Sequence, residues 1–352
     1  LPTRNSKGEV TNRGINNRAL AMVSKFQAAH PDEKIPADMC VQSLDKIQDV
    51  VFRRLAKPQN HWLRVAQKQI ELNIPSNIDF EKFIKFNTQI QTEWSHLLKT
   101  KSWSPITELE VSVFKNGHRF LQYGSTESLQ KGGADSQQSL SSIAKLIALK
   151  VEAESNGKLG DVTPIPIPNI KNRVETDGKL VSLDQVYCHS NNEGAYALAK
   201  RVDTTLLREE LKKYSFNTHV SDINVAVSTE RVNASTPNLQ WFLYDLAKMS
   251  ASNTKLRFIA TRAALGKNCT LYDANPLVEN RQLLLSKTGT YYAEGTIYHK
   301  LAVWAWQQPK SKDIFTVVVR VMQSSANGIC YGTGCISHSH LLGIYKKIMT
   351  ST

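Results

Sequence analysis

No apolar run of about 18 residues or more occurs in this sequence of 352 residues, so nothing in it reads as a membrane-spanning helix. Cysteine is scarce. Cys40, Cys188, Cys269, Cys330 and Cys335 form no C-x-x-C pair, and zinc-finger spacing is absent. The two cysteines of "CYGTGC" are near enough in sequence to close a small loop, but an odd total of five fits either redox compartment and decides nothing. There is no long basic run, no RNA-binding signature, no internal repeat and no low-complexity tract. The balance of 44 Lys+Arg against 31 Asp+Glu still gives a net charge of +13. Spread as it is, that charge suits an anionic cell envelope at least as well as nucleic acid, and no nucleic-acid partner is expected. The first residue is Leu1 and no apolar signal core follows it, so a removed leader or an upstream anchor is the expectation.

What is present divides in two. Residues 1–105 read as a polar arm followed by a helical lobe. "SLDKIQDVVFRRLA" steps Leu44, Ile47, Val50, Val51 and Leu55 along one helical face, and "PSNIDFEKFIKFNTQIQTEWSHLLK" does the same with Phe83, Ile90, Trp94 and Leu97. This lobe has no catalytic pattern and reads as packing, or as a dock for a partner protein. From residue 106 to 352 the period changes. "ELEVSVFKNGHRFLQYG" alternates around a "KNG" turn, which predicts a hairpin. "SLSSIAKLIALKVEAES" predicts a helix, and the alternating prolines of "DVTPIPIPNIK" an extended crossing. "SLDQVYCHSNNEGAYALAKRV" reads as a loop feeding a short helix, and "LLREELKKY" as another helix. "NASTPNLQWFLYDLAKM" starts a helix with Pro237 in its first turn. Three strands, "QLLLSKTGTYY", "KLAVWAWQQP" and "DIFTVVVRVMQ", precede a last helix in "HLLGIYKKIM". The expected class is α+β: an antiparallel sheet shared by both ends of this region, with a helical middle.

The chemistry begins at Ser142 and Lys145. A helix puts residues three apart on one face, free backbone N–H groups at its start can hold an oxyanion, and a lysine with a lowered pKa can take the serine proton. S-x-x-K alone is weak, since it recurs at Ser43–Lys46, Ser155–Lys158 and Ser252–Lys255. Only Ser142 opens an apolar helix after a hairpin and loop. "HSNN" then supplies Ser190-Asn191-Asn192, an S-x-N before a helix, also found at Ser215–Asn217 and Ser325–Asn327. Lys287-Thr288-Gly289 is the one K-[ST]-G in the chain.

In that order, with that surrounding pattern, residues 108–352 resemble the penicillin-recognising serine enzymes: DD-peptidases, penicillin-binding transpeptidases and serine β-lactamases. The resemblance implies that Ser142 attacks a D-alanyl-D-alanine peptide or a β-lactam, with Lys145 as leading candidate for general base. It implies that Ser190 relays a proton to the leaving nitrogen and that Asn192 orients Lys145 and the substrate amide. Lys287 would supply positive field, Thr288 and Thr290 would bind a substrate carboxylate, and Gly289 would keep the pocket open. The amides of Ser142 and Thr290 would form the oxyanion hole. The peptidoglycan peptide stem and β-lactams are the implied ligands, the location is extracytoplasmic, and no cofactor or metal is implied. A deacylating glutamate is not in its usual place before the "TP" helix. Glu230 lies too near Pro237, and Asp222 is better placed but is the wrong side chain, so both are expected to be surface carboxylates. This favours a DD-peptidase over a β-lactamase, with a non-catalytic scaffold as the third alternative. His189 and Cys188 are expected to pack beside the site rather than bind metal, and a glycosyltransferase pattern is missing from the first hundred residues.

Overall fold

Asn116 and Gly117 both adopt positive φ, 51° and 79°, the geometry that a two-residue hairpin turn requires. They join β1 (Ile106–Lys115) to β2 (His118–Gly124) where the sequence predicts a hairpin. The Asn116 amide then reaches the far end of the chain: its Nδ2 donates to Asp313 and its Oδ1 accepts from the amide of Ile314.

In this computed structural model the described residues are 80–100, 106–125, 136–155, 157–168, 178–229, 231–275, 282–293, 297–324 and 336–352, with the short strands 3–4 and 10–11. The predicted helix at 43–56, Glu230 and the "CYGTGC" cysteines lie outside them. Two compact units divide at Asn87–Thr88. In the first, Thr3–Arg4 pairs antiparallel with Val10–Thr11. The second begins inside helix α1 (Phe80–Thr100), some way before residue 106. Gln91 of that helix accepts a 2.6 Å hydrogen bond from Tyr123 on β2, and Gln89 accepts one from Ser351.

The helical middle follows in order. β3 (Gln138–Ser139) leads through a 3₁₀ turn (Ser141–Ala144) into α2 (Lys145–Ser155). Next come α3 (Leu183–His189), α4 (Asn192–Arg201), α5 (Thr204–Lys213), β4 (Asn217–Thr218), α6 (Ile223–Ser228) and β5 (Val232–Ala234). α7 (Thr236–Ser252), α8 (Thr254–Ala260) and α9 (Arg262–Leu265) complete it. The chain ends with β6 (Gln282–Ala293), β7 (Ile297–Gln307), β8 (Ile314–Ser324) and α10 (Leu342–Ser351). The main sheet runs β2-β1-β8-β7-β6, antiparallel at every pair, so the two ends of the second unit share one sheet as expected. The fold is α+β.

Successive strand side chains point to opposite faces, and β7 shows what each face buries. Leu301, Val303 and Ala305 join the core with Leu239, Phe242 and Leu243 of α7. Trp304 packs edge-on against Tyr345 of α10, and Trp306 stacks on Phe315. α7 is fixed to the sheet by polar bonds as well: Gln240 donates to the Ser112 carbonyl and accepts from Thr316, while Thr236 donates to Glu110. Ser235 caps its start and Pro237 sits in its first turn, as the sequence indicates.

The "LDQVYCH" stretch is a correction. It forms helix α3, not a loop, because Leu183, Val186 and Tyr187 recur at helical steps and are buried. The loop expected before the "TP" helix also contains structure, α6 and β5. Asp222 is the N-cap of α6, its carboxylate accepting from the amides of Asn224 and Val225.

Candidate active site

Three elements converge on Ser190. It ends α3 in the left-handed region, φ 57°, immediately before α4 begins. Its Oγ accepts a hydrogen bond from Lys145 Nζ at 3.0 Å and another from Lys287 Nζ at 2.7 Å. Its carbonyl accepts a second bond from Lys145, and Lys287 also donates to the Thr288 carbonyl at 3.0 Å. Both lysines are fully buried. A hydroxyl has two lone pairs and one proton, so Ser190 can accept from both amines and still donate.

Such an arrangement resists carrying two charges. Two unit charges about 5 Å apart repel by roughly 3 kcal/mol at an effective dielectric constant of about 20. Burial, and then the Lys145 charge beside it, holds Lys287 well below the ordinary lysine range.

Ser142 is half-buried on the 3₁₀ turn, three residues before Lys145. In 3₁₀ geometry positions i and i+3 eclipse, so Ser142 and Lys145 lie along one edge of the turn. The turn is pinned from behind: the Leu140 amide donates to the Val232 carbonyl, and the Ser141 amide to Ser139 Oγ. Ser141 is itself left-handed, φ 49°. β6 closes the front. A Cβ on Gly289 would lie 2.7 Å from Ser141 Cβ and 3.3 Å from the Ser142 amide nitrogen. The absent side chain thus lets strand β6 meet the serine turn itself, a sharper role than the open pocket expected of it. Lys287 and Gly289 share a face of the strand, so β6 carries one contact to Ser190 and one to the serine turn. Thr288 is buried and Thr290 half-buried alongside them.

Asn192 stands apart. It is exposed at the first position of α4, outside the hydrogen-bonded set that holds Lys145. Its neighbour Asn191 is the cap, with Oδ1 accepting from the Gly194 amide at 2.6 Å. α4 can sit so close to α3 because residue 194 is glycine: a Cβ there would meet Val186 Cγ2 at 2.5 Å.

One feature of the site is missed by sequence reasoning. Cys188, two residues before Ser190, is bridged to Cys269, 81 positions along the chain. No spacing rule links cysteines so far apart. His189 lies beside the bridge, its ring nitrogens 3.5 and 3.8 Å from Cys188 Sγ. Among the described residues, no group of three or more His, Cys, Asp or Glu is arranged to hold a metal.

No family model matches this sequence, and no curated protein matches it. Solved structures do match. The transpeptidase domain of a D,D-transpeptidase from Legionella pneumophila superposes with a TM-score of 0.53 at 14% identity, covering 79% of this chain and 99% of that one. Penicillin-binding protein PonA1 from Mycobacterium tuberculosis gives 0.56 at 14% identity, over 84% and 91% of the two chains. The corresponding domain of Burkholderia pseudomallei penicillin-binding protein 3 gives 0.55 at 11%, over 78% and 95%. The fold is that of these penicillin-binding-protein and transpeptidase domains. Within it, Ser142, Lys145, Ser190, Lys287 and Gly289 meet at one place, where β6, α2 and the α3–α4 junction come together.

Proposed function

We propose that this chain is a serine acyl-enzyme of the DD-peptidase type, acting on the D-alanyl-D-alanine end of a peptidoglycan stem and acylated by β-lactams. One observation carries the reading: the Ser190 hydroxyl joins two buried lysines, Lys145 and Lys287, one turn from a serine.

In this reading Ser142 Oγ attacks the scissile carbonyl carbon and its proton passes to neutral Lys145. The oxygen that gains charge is held by the amides of Ser142 and Thr290, which the close approach of Gly289 supports. The C–N bond breaks as Ser190 gives its proton to the leaving nitrogen and is resupplied by the ammonium on Lys145. The acyl ester on Ser142 then passes to water or to an amine. The one positive charge that the Lys145–Lys287 pair retains would attract the terminal carboxylate, which Thr288 and Thr290 would bind. Asn192, exposed at the mouth, is suited to meet the substrate amide rather than Lys145. Such substrates place the protein outside the cytoplasm. Asp222, spent on capping α6, is poorly available to activate a deacylating water, which favours long-lived adducts over β-lactam turnover. The chain before Thr88, which belongs to the first unit, is proposed as a dock for a partner protein.

Labelled penicillin and intact-mass measurement over time test this. A persistent adduct that is lost in Ser142→Ala supports the DD-peptidase. Fast appearance and loss with drug turnover would make it a β-lactamase, and no adduct on folded protein would overturn both.

A further inference from the structure

The bridge between Cys188 and Cys269, with Cα atoms 4.7 Å apart, closes a frame around the candidate site. From Cys269 the frame runs to Thr270, whose amide donates back to the Cys188 carbonyl at 3.2 Å. The next amide, Leu271, donates to Ala263 of α9 at 2.8 Å. Ser286 on β6 then locks α8 and α9: its Oγ accepts from the Ala264 amide and donates to the Thr261 carbonyl, both at 3.1 Å. Lys287 follows Ser286 and returns to Ser190 at 2.7 Å, two residues from Cys188. Apart from chain connectivity, every link in this ring is a hydrogen bond except the disulfide.

The two sides of Ser190 are held differently. Toward Lys145 the support is local: Tyr187 of α3 donates to the Lys145 carbonyl at 2.7 Å, and Ser190 itself takes two bonds from that lysine. Toward Lys287 it passes through the bridged segment. Ser190 is also a non-glycine residue in the left-handed region, a conformation that persists where surrounding structure enforces it. The turn that carries Cys269 is built around the bond as well, because a Cβ on Gly266 would lie 2.2 Å from Cys269 Sγ.

We propose that the Cys188–Cys269 disulfide is a positioning element that holds Ser190 against Lys287, so that acylation at Ser142 depends on the bridge being closed. The proposal rests on the DD-peptidase reading for its rate consequence only. Opening the bridge takes two electrons and two protons from an added dithiol, which becomes the cyclic disulfide while Cys188 and Cys269 become thiols.

The test compares the full oxidised chain, the chain reduced with dithiothreitol and shown by alkylation and mass to be open at both cysteines, and the Cys188→Ala/Cys269→Ala double variant. Penicillin acylation is followed against pH, and amide exchange is followed at Asn191 and Gly194. Reduction is expected to slow acylation by about tenfold or more and to move its rising limb upward by about one pH unit, as the lysines cease to crowd one oxygen. Dithiothreitol is expected to do nothing further to the double variant. Exchange at Asn191 and Gly194 is expected to quicken by about tenfold while core amides such as Ile147 and Val318 hold. Unchanged acylation and exchange overturn the proposal. Exchange that quickens equally at Ile147 and Val318 also overturns it, since the bridge is then a general staple of the fold. If the oxidised chain does not acylate, the DD-peptidase reading falls and the exchange at Asn191 and Gly194 alone decides the positioning role.

Discussion

Gly289 lies so close to Ser141 that one added carbon would stand 2.7 Å from the serine Cβ, with the Leu140 carbonyl 3.2 Å away on the same side. Neither neighbour can swing aside, because Ser141 is buried in a left-handed backbone and Leu140 is tied to Val232. Gly289→Ala is therefore expected to push β6 off the serine turn. Overpacking of this kind costs about 1–3 kcal/mol, visible in thermal unfolding, and acylation by penicillin is expected to fall by about tenfold or more. A variant that acylates at the wild-type rate would mean that β6 and the turn do not act together.

Ser190→Ala removes an oxygen that both lysines share and leaves Lys145 its bond to the residue 190 carbonyl. Loss of a proton relay costs about 10²–10⁴-fold in rate, so acylation is expected to drop by at least about a hundredfold with little change in melting temperature. The neighbouring asparagines separate cleanly. Asn191→Ala loses a helix cap and about 1 kcal/mol of stability, whereas Asn192→Ala is expected to slow acylation without moving the melting temperature.

Lys287 makes stability depend on pH in a defined direction. Its folded pKa is depressed by burial and by Lys145, so between the folded and unfolded values the unfolded chain binds more protons. Stability then rises with pH through that window, and below the folded value the full penalty of a buried charge is present. Melting temperature measured from neutral toward alkaline pH is expected to climb relative to Lys287→Met, which has no such proton to lose. Equal slopes in the two proteins would contradict the depressed pKa.

Asp222 offers a test of the alternative activity. As the cap of α6, its replacement by alanine is expected to cost about 1 kcal/mol of stability and to leave the lifetime of a penicillin adduct unchanged. A lifetime that lengthens markedly would identify Asp222 as the base for deacylation.

Much of this site is written locally. Asn116-Gly117, Ser235-Thr236-Pro237 and the leucines before Lys287 each announce their element through turn, cap or strand chemistry that nearby residues determine. Gly289 is legible as a gap, although what fills that gap, the Ser141 turn, depends on a segment far away in sequence. α3 escapes for a different reason: its seven residues hold a single helical step, Leu183 to Val186 and Tyr187, before Ser190 and the asparagines interrupt it. The bridge from Cys188 to Cys269 is set by the docking of α3 on α8 and α9, which no spacing encodes. Which of the two adjacent asparagines caps α4 is not written locally: Asn191 takes the cap, and Asn192 begins the helix on its exposed side.

The pairing of β1 with β8, which matches Lys115 to Phe315, also sets a schedule. During synthesis the hairpin, the serine turn and Lys145 leave the ribosome first, yet the central strand between the hairpin and β7 is among the last to be made. Contacts of such long sequence separation form slowly, and until they form the β6–β7 pair that carries Lys287 is not joined through β8 to the hairpin. A growing chain therefore holds Ser142 and Lys145 before Lys287 can reach Ser190. The pair of lysines at Ser190 is complete only once the strands made last are drawn in beside the hairpin made before them.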